Sequence, residues 1–264
     1  MGRKVKTLAF AGTYWYNIPA GRRAAPSPAG DAMKEAIKRL VPEPVLQALR
    51  KIVRPRCWYK MEIGGLWDVV GSLQFEFLKS QGLLPRHAFI DIGCGSLRGG
   101  IHFIRYLDPG NYHGIDISTR ILDAARCELG QQGLEAKRPA LKHTTSFDLV
   151  SFNRLFDFGI AQSVFTHLPL NDIIRCLMSV EKVLSPGGRF YATFFDHPAG
   201  KQDLDPLSHA CADGTSLLTY CDKDPFHYDV ATFEWICQGT SLTPTLIGPW
   251  NHPRDQRMLV FAKR

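Results

Sequence analysis

The chain has 264 residues, 45 % of them hydrophobic and 22 % charged, enough apolar material for one well-buried core with a small extra lobe. No run reaches the ~18 apolar residues that a membrane span needs, and the brief apolar part of MGRKVKTLAFAG is too short for a secretory signal, so a cytoplasmic protein is expected. The formal net charge of +7 is uneven: residues 1–60 carry 13 basic and 3 acidic side chains, the rest 19 and 22, a distribution that disfavours a nucleic-acid protein with charge across its main body.

Residues 1–30, rich in proline, glycine and alanine around PAGRRAAPSPAG, read as a flexible tail. Residues 31–60 read as a basic helical extension, with Asp31 capping a first helix that ends near Pro42 and PEPVLQALRKIV forming a second before Pro55. Ile37, Leu40, Val45, Leu46, Leu49 and Ile52 supply its apolar positions. Such helices either cover the main domain or lie on a membrane surface, so peripheral membrane contact through residues 31–56 is one expectation.

The main domain is expected over residues 61–264. Trp67, Val70, Leu73, Phe77 and Leu78 recur at helical spacing, and Gly82 and Pro85 end that helix. A short buried strand follows from Ala88 to Ile92, then a helix over SLRGGIHFIRYL, a second strand from Tyr112 to Ile117, and a helix over TRILDAARCELGQQG. A strand from Phe156, the helix LNDIIRCLMSVEKVL and the strand RFYATFF come next. Asp196 to Tyr228 is polar without a clear period, too long for an ordinary connection, and reads as a substrate-side insertion. A helix capped by Asp229 and an antiparallel pair, SLTPTLIG with RMLVFAK, close the chain. Strand, glycine turn, helix, strand, helix is the first half of a doubly wound α/β sheet.

The seven cysteines are odd in number, form no CxxC and sit in apolar patterns, which suits core thiols in a reducing compartment. No metal-ligand spacing appears, and no metal is expected.

The chemistry is most concentrated in FIDIGCGSLRGG, Phe89 to Gly100. Its glycines are Gly93, Gly95, Gly99 and Gly100, a poor match to the GxGxxG of a pyrophosphate site. A turn from strand to helix points backbone N–H groups at a ligand above the sheet edge. The acid Asp91 precedes the glycines and would repel phosphate but suit an ammonium. Asp116, at the end of the next strand, can accept hydrogen bonds from both hydroxyls of a ribose. A ligand with a ribose and an ammonium, and without a pyrophosphate, is called for.

DIGCG followed by GIDIS, with AQSVFTHLP and VLSPGGRFYATFF further on, resembles the class I S-adenosylmethionine-dependent methyltransferases. The resemblance implies a seven-stranded Rossmann-like sheet with the last strand antiparallel, flanked by helices. It implies S-adenosyl-L-methionine as cofactor and S-adenosyl-L-homocysteine as product. By it, Asp91, Gly93, Cys94 and Gly95 hold the methionyl part, Asp116 the ribose, and Ile117 lies near the adenine. Gln162 and Ser163 fall in the loop after the fourth strand that lines the transfer site, and Arg98 is placed to reach the cofactor carboxylate. The resemblance weakens between Gly133 and Phe147, where an acid for the adenine amino group is missing; Asp148, Ser146 or a backbone group is left for that task.

Methyl transfer needs an acceptor held in line and water excluded, and a hydroxyl acceptor gains from a base, for which histidine is suited near neutral pH. His197, beside Asp196, is the first choice; His167 and His227 are the others. Tyr59, Tyr228 and Trp250 are candidates for the acceptor pocket. The polar insertion points to O-methylation of a small polar metabolite such as a sugar, glycoside or glycolipid precursor. Two other readings stay open: an RNA methyltransferase guided by the basic N-terminal segment, and a cofactor-binding scaffold without catalysis. The oligomeric state is not predicted.

Overall fold

The structure, a computed structural model, describes residues 58–197 and 204–264. The chain divides into two units, Met1–Gly64 and Gly65–Arg264. The tail and both helices expected before residue 57, with the membrane-facing role assigned to them, lie outside the described residues. Of the first unit, helix α1 (Trp58–Glu62) is described, with Tyr59 as its buried residue.

The second unit starts with helix α2 (Trp67–Ser80), which buries Val70, Gln74 and Leu78 and is closed by Gln81, whose N–H turns back to Phe77 and Leu78. A Cβ on Gly71 of α2 would stand 2.5 Å from the Arg98 carbonyl oxygen, so the missing side chain is what lets α2 rest directly on the turn that follows the first strand.

Strand β1 (Phe89–Ile92), helix α3 (Gly100–Tyr106), strand β2 (Tyr112–Asp116), helix α4 (Thr119–Gln131) and strand β3 (Ala140–His143) make the first half of the sheet. All four residues of β1 are buried. The Ser118 side chain accepts from Ile121 N–H at 3.3 Å and caps α4. Strand β4 (Phe156–Ala161), helix α5 (Leu170–Val183) and strand β5 (Leu184–Asp196) follow. Then come strands β6 (Leu207–Ala210), β7 (Ser216–Thr219) and β8 (His227–Tyr228), helix α6 (Val230–Ile236), and strands β9 (Leu242–Gly248) and β10 (Arg257–Lys263).

The main run of the sheet is β3-β2-β1-β4-β5-β10-β9. Neighbours from β3 to β5 are parallel, and β10 is antiparallel to both β5 and β9. This seven-stranded run with an antiparallel final strand is the arrangement the resemblance implied. β8 adds beside the carboxyl end of β5, pairing Phe195 with His227 and Asp196 with Tyr228. One core cluster joins Phe89, Phe103, Tyr112, Phe158, Tyr191, Trp250 and Met258; each such ring contributes roughly 1.5–3 kcal/mol by leaving water.

Two sequence expectations change. The helix expected from Ser96 begins at Gly100, because Gly93, Gly95 and Leu97 all take positive φ (68°, 57° and 72°) and keep the chain in a turn. The insertion is not structureless either: β6 and β7 form an antiparallel hairpin. Each is four residues long with a single fully buried side chain, His209 or Thr219, so neither produces the apolar alternation by which strands are read.

Candidate active site

The two acids stand at the carboxyl ends of adjacent parallel strands. Asp91 on β1 is buried, and its Oδ2 accepts from the Tyr112 hydroxyl at 2.7 Å. Burial pushes its carboxyl up to about 7, against the pull of Tyr112, and Asp116 adds to the rise while Arg98 opposes it. Asp116 on β2 accepts from Gly95 N–H at 3.0 Å and from Ser118 N–H at 2.8 Å. Burial raises its pKa and these backbone bonds lower it. Each of its oxygens thus has one firm donor and a lone pair left over.

Gly93 turns the chain between them at φ 68°, with a would-be Cβ 2.6 Å from the Val164 Cγ2. Both conformation and space exclude a side chain there. Cys94 packs its sulfur against Gly114 of β2, and burial raises its thiol well above the ordinary value, so it is a filler rather than a nucleophile. Arg98 is buried and donates to the Gly65 carbonyl at 2.9 Å; burial and the nearby Arg254 bring its pKa down to about 10. Ile117, directly after β2, is half-buried. The Asp148 carboxylate accepts from Ser151 N–H at 3.2 Å within its own turn.

The loop after β4 closes the same edge. Ser163 sits at φ 56°, and its N–H donates to Thr193 Oγ1 at 2.7 Å. The Gln162 amide lies 3.1 Å from His252 Nε2, 3.0 Å from Ser163 Oγ and 3.3 Å from Gln256 Oε1. Burial holds His252 down to about 3, helped by the charges of Arg98 and Arg254, so it is neutral. Thr193, His252 and Gln256 were missed in the sequence. Thr193 hides in an apolar strand, and the other two come from the β9–β10 connection, some 90 residues after Gln162, with no local motif to mark them.

The candidate histidines divide between two places. His167 Nδ1 is 2.6 Å from Asp224 Oδ1, a pair within the edge of the site. His197 and His227 lie together, ring centroids 4.6 Å apart. Asp196 shares its surroundings with Arg257, Asp229, His197 and Asp255, and burial raises its pKa. Tyr228 uses its hydroxyl to hold the post-β4 loop, donating to the Leu168 carbonyl at 2.6 Å. Trp250 is built into the core: its indole N–H donates to Gln256 O at 3.0 Å and its ring packs edge-on to Phe77 and flat on His252. Trp250 thereby braces Gln256 and His252 from the interior. Tyr59 belongs to the first unit.

A model of a methyltransferase domain matches residues 90–190, the span that holds β1, the glycine turn, both acids and the post-β4 loop. That stretch carries a methyltransferase domain, and the fold is that of the class I S-adenosylmethionine-dependent methyltransferases. Its fold is similar to solved methyltransferases. Magnesium protoporphyrin IX methyltransferase from Synechocystis PCC 6803 with bound S-adenosylmethionine is 15 % identical, with 74 % of this chain and 81 % of that one covered and a TM-score of 0.52. The CcbJ methyltransferase from Streptomyces caelestis is 12 % identical over 73 % and 89 %, TM-score 0.56. CalS10, an amino pentose methyltransferase from Micromonospora echinaspora, is 13 % identical over 76 % and 93 %, TM-score 0.54.

The residues of this methyltransferase domain fit the cofactor on their own chemistry. Ser96 Oγ in the glycine turn, and the end of the Gln162 amide away from His252, are buried polar atoms with no hydrogen-bond partner among the described residues, at the two sides of one edge. Such atoms are costly unless a ligand completes them. Asp91 offers a carboxylate for an ammonium, and Asp116 has lone pairs to spare for a diol. S-adenosylmethionine, leaving as S-adenosylhomocysteine, is the cofactor, and these are the groups that would hold it.

Proposed function

We propose that the protein methylates a hydroxyl of a small polar molecule, a sugar, glycoside or glycolipid precursor, and that His197 takes the proton. When bound, the cofactor supplies an electrophilic methyl on a positively charged sulfur. The chain's own residues then hold the acceptor in line, keep water out and receive a proton. The cofactor would give up its methyl with sulfur keeping the bond's electron pair, while the chain's residues hold the acceptor oxygen in line. The hydroxyl proton passes to a neutral imidazole.

One observation carries this reading. The sheet edge is chemically split, with carboxylates at β1 and β2 for the cofactor, and histidines at β5 and β8, where Phe195 and Asp196 pair with His227 and Tyr228. The likeness of the fold to an amino pentose methyltransferase supports a sugar-bearing acceptor. Polar groups gathered about the end of β5, Asp196, His197 and Asp255 among them, suit a hydroxylated molecule rather than an apolar one.

The test is mass spectrometry of cell extract incubated with the full chain and a donor carrying a deuterated methyl group. Label in a sugar conjugate supports the proposal. Label in RNA would instead favour the reading built on the basic N-terminal segment, and binding of S-adenosylhomocysteine with no labelled product at all would favour a scaffold.

A further inference from the structure

Three histidines and a carboxylate from four separate segments meet beneath the end of β5. His209 projects from β6 and Thr219 from β7, on the buried face of the hairpin. His227 comes from β8 and Asp255 from the β9–β10 connection. Asp255 Oδ2 lies 3.5 Å from His209 Nδ1. His209 Nε2 lies 3.0 Å from Thr219 Oγ1, and the same oxygen lies 2.9 Å from His227 Nδ1. The ring of His227 rests on that of His197. His209, Thr219, His227 and His197 are all buried. The hairpin is held in place by Ala212 N–H donating to the Pro253 carbonyl at 2.8 Å and by the His209 ring against Phe195.

A hydroxyl has one proton to give, so Thr219 can donate to one histidine only and must accept from the other. Asp255 decides which. Its carboxylate accepts from His209 Nδ1–H, which leaves His209 Nε2 as a lone pair. Thr219 O–H then donates to that nitrogen, and Thr219 Oγ1 accepts from His227 Nδ1–H. Burial favours the neutral form of His209, as this pattern requires. We propose that Asp255, His209 and Thr219 fix His227 as its Nδ1–H tautomer, with a basic Nε2, so that the acceptor's proton meets an imidazole lone pair within the His197–His227 pair. His209, Thr219 and Asp255 are positioning residues in this scheme. One proton leaves the acceptor hydroxyl, one imidazole lone pair takes it, and the pair ends with a single positive charge. The charged groups in this region are Asp196, which has Arg257, Asp229, His197 and Asp255 around it, and Arg257 and Asp255 near His209. The carboxylates favour that charge. The inference rests on the proposed histidine-assisted O-methylation, but its first readout does not.

Long-range proton–nitrogen spectra of the full chain, with its histidines labelled, report each ring's tautomer without any acceptor. Both His209 and His227 are expected as Nδ1–H. Thr219→Val, which keeps the shape and loses the hydroxyl, should turn His227 to a tautomer mixture, and Thr219→Ser should restore one form. Asp255→Asn should mix the tautomers of both rings. An Nε2–H form of His227 in the unaltered chain, or an unmoved His227 in Thr219→Val, would overturn the inference. Should these spectra hold while the deuterated-donor experiment finds no O-methylated product, it is the proposed function that fails and the tautomer chain that stands.

Discussion

The glycine turn and the hairpin insertion lie at the same sheet edge and are built in opposite ways. In the turn, Asp91, Gly93, Gly95 and Asp116 come from two neighbouring strands and the connection between them. The groups that would meet the cofactor are set by backbone: positive φ, a strand end, an N–H aimed at a carboxylate. In the insertion, the histidines and Asp255 come from four segments, and side chains hold one another. Binding chemistry that must be shared by many acceptors is placed on rigid local backbone, whereas acceptor chemistry is assembled from long-range contacts that can vary without disturbing the turn.

That contrast predicts where damage goes. The largest effect on cofactor binding should come from Asp116→Ala, which on the proposed placing of the ribose would remove the acceptor of its two hydroxyls; at ~1.5–3 kcal/mol per charged hydrogen bond, the affinity for S-adenosylhomocysteine should fall at least about 100-fold, read by calorimetry. Unchanged affinity would mean the ribose lies elsewhere. Next is Asp91. Its folded carboxyl titrates at about 7 against 3.8 for the free side chain, so between those values the folded protein keeps a proton that the unfolded chain has lost. Ligand-free stability should therefore drop as pH rises from about 4 to about 7, by on the order of 4 kcal/mol. Urea titrations should show Asp91→Asn flattening that drop, while its affinity for S-adenosylhomocysteine at pH above 7 falls roughly tenfold or more. A variant that keeps the wild-type slope would place the buried proton on another group.

Gly93→Ala should cost about 2–3 kcal/mol, part from its φ of 68° and part from Val164. Adding Val164→Ala should return the steric part and leave the conformational part, as thermal unfolding would reveal. His197→Ala sharpens the comparison from the other side: turnover of the identified acceptor should fall 10²–10⁴-fold, the usual worth of a general base, with S-adenosylhomocysteine affinity kept within about twofold of wild type. A large change in that affinity would erase the separation between the two regions. The smallest effect is expected at the basic N-terminal segment, whose removal (residues 1–56) should lower co-sedimentation with anionic liposomes and leave cofactor binding intact; equal recovery would end the membrane reading.

How far the sequence could be read follows the same division. The order of strands and helices, the two acids and the antiparallel closing pair were visible because each is written in contiguous residues with a period or a punctuating glycine. The start of α3 was misplaced, since Leu97 in a left-handed conformation is not a residue type that announces a turn. Thr219, His252 and Gln256 were not legible at all. Their meaning lies in partners up to 94 residues away, and a histidine in a four-residue polar strand carries no sign of what it will meet.

The placing of β10 between β5 and β9 has an outcome for biogenesis. Along the chain β9 precedes β10, yet in space it reaches the sheet only through β10. While the polypeptide emerges from the ribosome, β9 therefore has no ladder to join, and β5 keeps a bare hydrogen-bonding rim. The His252 and Gln256 side chains that brace the post-β4 loop precede β10 on the same delayed segment. Completion of the sheet and completion of the catalytic edge thus become a single late event, and a ribosome stalled before β10 would display a sticky border open to chaperones or to another copy's strand.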